Sequence, residues 1–289
     1  MKPLVDYDKV GDIVVITMSS PPVNALGPGL RSALAEAPDS FAGDEDARAA
    51  ILRGAGRHFC AGADVTEFER PPQPPWLPEL VAQVESRQKP VIAAIHGSAL
   101  GGGLELAMGC HYRCALPDAR VGLPEVTLGL LPGASGTQRL PRLTGVARAL
   151  EIMTSGRPLG AREASELGII DRIVEGDLLT GALEWARELL ESGCGPRRLS
   201  ETVLEDPQAT PEFFASSREA LLKKARGQEA PLRILECLEA AVTLPWKEAL
   251  AREAELFEIC RSSPQFAAMR HLFFAERQVS RVPGLSGEA

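Results

Sequence analysis

The 289-residue chain predicts an α/β fold with largely parallel sheets, followed by a helical C-terminal region. Short apolar runs of strand length alternate with stretches that repeat apolar residues at helical spacing, the pattern of strands buried on both faces. Glycine and proline clusters close those runs and mark the connections. From Pro211 onward no strand pattern appears, and Ala, Leu, Glu and Lys dominate.

Taken in order, Asp12–Ser19 (DIVVITMS) reads as a strand ended by Pro21-Pro22, and Leu26–Phe41 as a helix with Leu30, Leu34 and Ala37 on one face. Ala49–Gly56 and Pro90–Gly97 are further buried strands; Tyr112–Leu116 and Asp171–Val174 are weaker ones. Helices are expected over Leu77–Arg87, Gly101–Cys110, Gly133–Leu143, Val146–Thr154 and Leu179–Glu191. Arg70–Pro78 (RPPQPPWLP) cannot continue a helix and is expected as a surface loop. Composition shifts near Gly193–Pro196, which divides the chain into a core, 1–195, and a helical region, 196–289, interrupted at Pro231, Pro245 and Pro264.

With 45% hydrophobic and 24% charged residues, the chain can bury a sizeable core. A net charge of −8 repels bare nucleic acid, so a polyanionic ligand would need local donors. The six cysteines form no C-x-x-C pair and sit mostly in apolar runs, as free thiols do in a reducing compartment. MKPLVDYDKV is no secretory signal, and the end SGEA lacks the common peroxisomal tripeptide, so a cytoplasmic location is expected. The most apolar stretch, Val91–Cys110, contains His96, Ser98, Glu105 and several glycines, and no membrane span is expected.

Several chemistries lack their signature. Gly54-Ala55-Gly56 misses the last glycine of a dinucleotide fingerprint, Gly129–Thr137 has no P-loop lysine, and there is neither H-E-x-x-H nor G-x-S-x-G. The four histidines show no metal spacing, so no metal is expected; His96 and His111 read as packed structural residues.

What remains are three glycine-rich segments and two glutamates. Gly101-Gly102-Gly103 follows a strand and opens a helix, whose first N–H groups lack intrahelical partners and suit a developing oxyanion. Ala61-Gly62-Ala63 offers a second such N–H. Glu105, flanked by leucines, and Glu125, after Pro124, lie in apolar surroundings that raise a carboxyl pKa toward the range useful for proton transfer. Each has a plainer alternative: Glu105 as dipole partner of its own helix, Glu125 as cap of the following turn. Asp64 reads as the N-cap of Val65–Glu69.

SPPVNAL (Ser20–Leu26), HFCAGADV (His58–Val65), ALGGGLELAMGC (Ala99–Cys110) and LPEVTLGLLPGASGTQRLPRLTG (Leu123–Gly145) together resemble the enoyl-CoA hydratase/isomerase (crotonase) family. GCHYRCA (Gly109–Ala115) and the stretch Glu236–Gln278 are similar to the N-terminal part and linker of the type-1 multifunctional enzymes of fatty-acid β-oxidation. The resemblance implies a crotonase-like spiral of ββα units with two packed sheets, and hydration of trans-2-enoyl-CoA without a cofactor, the CoA thioester being the substrate. It implies Glu105 and Glu125 as the acid/base pair, and Ala63 and Gly102 as oxyanion donors. Val23, Ala25, Ala61, Gly62, Asp64 and Val65 would contact CoA, and Gly133 would help orient water or substrate. Alternatives are a 3,2-trans-enoyl-CoA isomerase, the front part of a bifunctional hydratase/3-hydroxyacyl-CoA dehydrogenase, or a non-catalytic acyl-CoA-binding member. A homo-oligomer (trimer or hexamer) and a monomer both occur in the family. Two departures stand out: the short proline-rich loop at 70–78, and Ser135 where glycine or arginine is commoner.

Overall fold

A computed structural model describes residues 3–69 and 73–279. The front of the expected loop, 70–72, and the chain end from 280, including SGEA, lie outside the described residues. The strands are β1 (Val5–Val10), β2 (Ile13–Met18), β3 (Ala49–Gly54), β4 (Val91–Ile95), β5 (Ser98–Leu100), β6 (Tyr112–Ala115), β7 (Arg120–Gly122), β8 (Leu159–Gly160) and β9 (Arg172–Ile173). The helices are α1 (Pro28–Gly43), α2 (Leu77–Glu85), α3 (Gly102–Gly109), α4 (Gly136–Thr144), α5 (Val146–Ser155), α6 (Ala161–Glu166), α7 (Leu178–Glu191), α8 (Pro211–Lys224), α9 (Ala230–Thr243), α10 (Trp246–Arg261) and α11 (Pro264–Val279).

One sheet has the order β1-β2-β3-β4-β6-β9 and is parallel apart from β1; the other has the order β5-β7-β8. Side-chain parity explains why the central strands are apolar throughout. Ile13, Val15, Ile51, Ile92 and Ala94 point to one face, where they meet Trp185 and Ala186 of α7. Val14, Ile16, Leu52, Ala93 and Ile95 point to the other, into the main core. Each fully buried Leu or Ile in these layers contributes about 1.5–3 kcal/mol.

Four strands depart from expectation. β1 (VDYDKV) is exposed along most of its length and pairs antiparallel with β2 only at the sheet edge, so it needs no apolar pattern. β5, β7 and β8 are two or three residues long and lie among glycines and prolines, where no periodicity can register.

The C-terminal prolines begin helices rather than break them. Pro211 and Pro231 occupy first-turn positions and Pro245 the N-cap, where a missing N–H costs nothing. These helices share the main core: Ile234, Leu235, Leu238, Leu256 and Phe266 belong to the same apolar cluster as Val14 and Leu30. Contacts of α9 with α4 and α5, and of α10 with α4, place these two C-terminal helices against the segment that follows the last glycine-rich stretch.

Candidate active site

β5 is where the chain crosses from the large sheet to the small one, and the site is built around its end. Cys60 N donates to Ser98 O and Leu100 N donates to Cys60 O, so the turn after β3 is held alongside β5. Gly101 N donates to Gly122 O, drawing in the end of β7, which leads through Pro124 to Glu125. Gly101 sits at φ 52°, ψ −128°, outside the range of L residues, and a Cβ there would stand 2.8 Å from Glu125 Oε1. Glycine is therefore required both for the backbone shape and for the room Glu125 occupies.

Gly102 opens α3 with one of the N–H groups that has no intrahelical partner. Ala63 N lies 3.3 Å from the position a Gly102 Cβ would take, so the two amides are neighbours. Ala63 is exposed, whereas Gly102 is buried with the Leu77 side chain beside it. The turn at 23–26 is laced to the same place: Ala61 N donates to Val23 O and Leu26 N to Gly62 O. Val23, Ala25, Ala61, Gly62, Asp64 and Val65 thus form one patch around Ala63. Asp64 does cap the following 3-10 turn, accepting from Thr66 N at 3.0 Å.

Glu105 is 2% exposed and does not serve its own helix. Its Oε1 accepts from Ala134 N at 2.7 Å and Gly136 N at 2.8 Å, at the start of α4. Burial pushes its pKa up to about 7, against the pull of those amides and of Arg139. Glu125 opens a 3-10 turn, Glu125–Leu128, behind Pro124 at the N-cap. Its Oε2 is buried and has no hydrogen-bond partner among the described residues. Burial, then the negative charge of Glu105, hold its carboxyl well above the usual range. The two carboxyls therefore interact, and the first proton lost leaves the second harder to remove.

Two corrections concern the far side of the site. α4 opens at Gly136 instead of Gly133, because Ser135 takes the left-handed conformation, φ 72°, and ends the preceding turn. Gly133 lies three residues before the helix, where a Cβ would meet the Phe257 ring at 2.4 Å, and the amides reaching Glu105 are those of Ala134 and Gly136. A third acid also enters. Glu253 of α10, 2% exposed, accepts from Ser135 N at 2.7 Å, from Thr137 N at 3.2 Å and from the Thr137 hydroxyl. Burial and then the charge of Glu105 push its pKa up to about 8. A signal for it existed: buried Ala249, Glu253, Leu256 and Cys260 follow helical spacing, so one glutamate stands in an apolar stripe.

His111 is fully buried, accepting from Val91 N at 2.9 Å and contacting Glu85 O at 3.0 Å, and is a structural residue as expected. All six cysteines are free thiols. No described helix is long and apolar enough to cross a membrane.

These raised carboxyls make a stability prediction. The folded state retains protons that the unfolded chain releases near pH 4.5, so stability declines as pH rises through about 7 to 8. Melting temperature is expected to fall between pH 5 and 8.5, and to fall less in Glu105→Gln, whose amide oxygen still accepts from Ala134 and Gly136. Parallel melting curves for the two proteins across that range would contradict the burial of an ionisable group at 105.

Two main-chain amides beside a pair of buried, interacting carboxyls, on an α/β spiral with two sheets, define a class of proteins equipped for proton chemistry next to a polarised carbonyl. The chain belongs to the enoyl-CoA hydratase/isomerase family, whose model matches residues 8–212. It is 43% identical over 269 residues to a peroxisomal bifunctional enzyme of Danio rerio, covering 93% of this chain and 37% of that one. It is 42% identical to the peroxisomal bifunctional enzyme of Homo sapiens, covering 95% and 38% of the two chains. The chain thus spans well under half the length of these relatives. Among solved structures, an enoyl-CoA hydratase/isomerase from Pseudoalteromonas atlantica T6c superposes with a TM-score of 0.70, 24% identity and coverage of 98% and 100%. A structure named for an enoyl-CoA hydratase subunit I from Geobacillus kaustophilus HTA426 gives 0.61 at 30% identity, covering 99% and 98%. The fold is the crotonase-like one.

Proposed function

We propose that the chain hydrates trans-2-enoyl-CoA to 3-hydroxyacyl-CoA in fatty-acid β-oxidation. The observation behind this reading is that Glu105 and Glu125 share one buried environment beside the Ala63 and Gly102 amides. The thioester oxygen accepts from those two amides, which draw electron density from C3 and stabilise the enolate that forms. Each donor is worth about 3–4 kcal/mol in the transition state. Water adds through oxygen to C3, giving a proton to ionised Glu105, and C2 takes the proton of Glu125.

The electrostatics fit this division. Glu105 is anchored by two amides and ionises first, so it supplies the base. Glu125 keeps its proton under the influence of the Glu105 charge, so it supplies the acid. The CoA end would rest on the patch Val23, Ala25, Ala61, Gly62, Asp64 and Val65. No cofactor is required.

Crotonyl-CoA tests the reading through loss of the absorbance of its conjugated thioester. Steady loss with formation of 3-hydroxybutyryl-CoA supports it; an unchanged signal at high enzyme concentration refutes it. The second reading is a 3,2-isomerase, favoured by the unpartnered Glu125 Oε2, since one carboxyl suffices to move a proton between C2 and C4. A 3-enoyl-CoA would then gain the conjugated absorbance. Relatives named bifunctional support the companion reading that this is the hydratase part of a longer enzyme. Free thiols fit a cytoplasmic site of action, whereas the relatives' names point to the peroxisome; imaging a tagged full-length protein in its own cell decides. Sedimentation decides between a monomer and a trimer.

A further inference from the structure

The first turn of α4 is held from two sides. Amides 134 and 136 point to Glu105, and amides 135 and 137 point the opposite way, to Glu253. This alternation requires the left-handed Ser135, a conformation that a residue with a Cβ adopts only when its surroundings impose it. The Glu253 carboxyl is the imposing group: it takes Ser135 N on one oxygen, and Thr137 N with the Thr137 hydroxyl on the other. The hydroxyl of Thr137 is fixed in turn by Gln138 Nε2 at 3.0 Å, which also reaches Cys237 O on α9.

We infer that Glu253 is a positioning residue for Glu105, by which the C-terminal helical region completes the hydratase site. Its bonds lock the backbone of 135–137 so that the Ala134 and Gly136 amides stay aimed at the Glu105 carboxylate. Among the described residues Glu253 forms no ion pair; the titratable groups that act on it or feel its charge are Glu105 on α3, Glu125 in the 3-10 turn and Cys237 on α9. Burial of an acid without a basic partner is costly, and here the acid is retained where it shapes the catalytic turn.

The inference rests on the hydratase reading, and its test separates the two. Glu253→Ala and Glu253→Gln are compared with the parent in the full chain. In Glu253→Ala, kcat per folded site for crotonyl-CoA is expected to fall about 10²-fold, the loss typical of an ångström-scale misplacement, with KM changed less than threefold. Glu253→Gln fills the same volume and still accepts from Ser135 N, but opposes Thr137 N with a second donor; about a tenfold loss is expected. Should the alanine variant fail to fold, the glutamine variant decides.

An independent readout is the Glu105 carboxyl, followed by carbon-13 NMR across pH. Weaker donation from Ala134 and Gly136 leaves its carboxylate less stabilised, so in both variants its titration moves upward, by about one pH unit in Glu253→Ala. A kcat within twofold of the parent in both variants, or an unmoved Glu105 titration, overturns the inference. A parent without hydratase activity refutes the proposed function instead, and the Glu105 titration then decides the role of Glu253 alone.

Discussion

Glu105→Gln and Glu125→Gln are each expected to lower kcat for crotonyl-CoA by about 10²–10⁴-fold, with KM nearly unchanged. The amides of Ala63 and Gly102, which in the proposed reaction bind the thioester, are untouched by either change. The pH dependence follows from the environments. Activity rises with pH as Glu105 ionises near 7, and falls at higher pH as Glu125 loses the proton that C2 must receive. In Glu105→Gln the acid limb of the residual profile disappears, because no base at that position remains to titrate. Stopped-flow or steady-state measurement from pH 5 to 9 checks both points. Near-parental turnover in either variant would mean that the carboxyl pair is structural.

The largest stability effect is expected at a second acid buried away from the reacting pair. Glu85 of α2 holds the Arg139 guanidinium of α4 through both oxygens, and also accepts from Ser200 N at 3.1 Å. Arg139 is 1% exposed, donates Nε to Ser135 Oγ at 2.7 Å, and lies over the Trp246 ring of α10. Glu85→Ala leaves that cation buried without its counter-charge, which costs about 3–5 kcal/mol. In a chain of this size that corresponds to a drop in melting temperature of roughly 10 °C. Burial raises the Glu85 pKa, but the bonds and charge of Arg139 outweigh it and hold the carboxyl below its ordinary range. The stabilisation is therefore present at neutral pH and is lost as acid protonates Glu85 below about pH 4.5. Urea denaturation of the variant and of Glu85→Ala/Arg139→Leu checks the cause. The double variant should recover much of the loss, since removing both charges removes the desolvated cation; no recovery would place the effect in packing alone.

Several elements were legible because their signal is local. β2, β3 and β4 announce themselves as apolar runs, since both faces of a central parallel strand are buried. The helices α1, α2, α5 and α7 start within two residues of their expected positions, their apolar faces repeating at helical spacing. Glu105 and Glu125 were visible as acids in apolar, glycine-rich surroundings, and the structure brings both to the Gly101 turn.

Other features could not be read in a window of ten residues. β1 is an edge strand with little to bury, and β5, β7 and β8 are too short for a period. The start of α4 is displaced because Ser135 adopts a conformation its residue type disfavours, and what holds it there comes from 118 positions away.

By itself the sequence determined the α/β layering, the α-helical character of the C-terminal third and the two acids beside glycine-rich turns, because burial and glycine's missing side chain write themselves into neighbouring residues. Only the tertiary structure decided that Glu105 caps α4, that Glu253 of α10 grips the same turn from behind, and that Glu85 neutralises Arg139. Desolvation and pairing of charge depend on groups distant in the chain, so their energies exist only once the helices have packed.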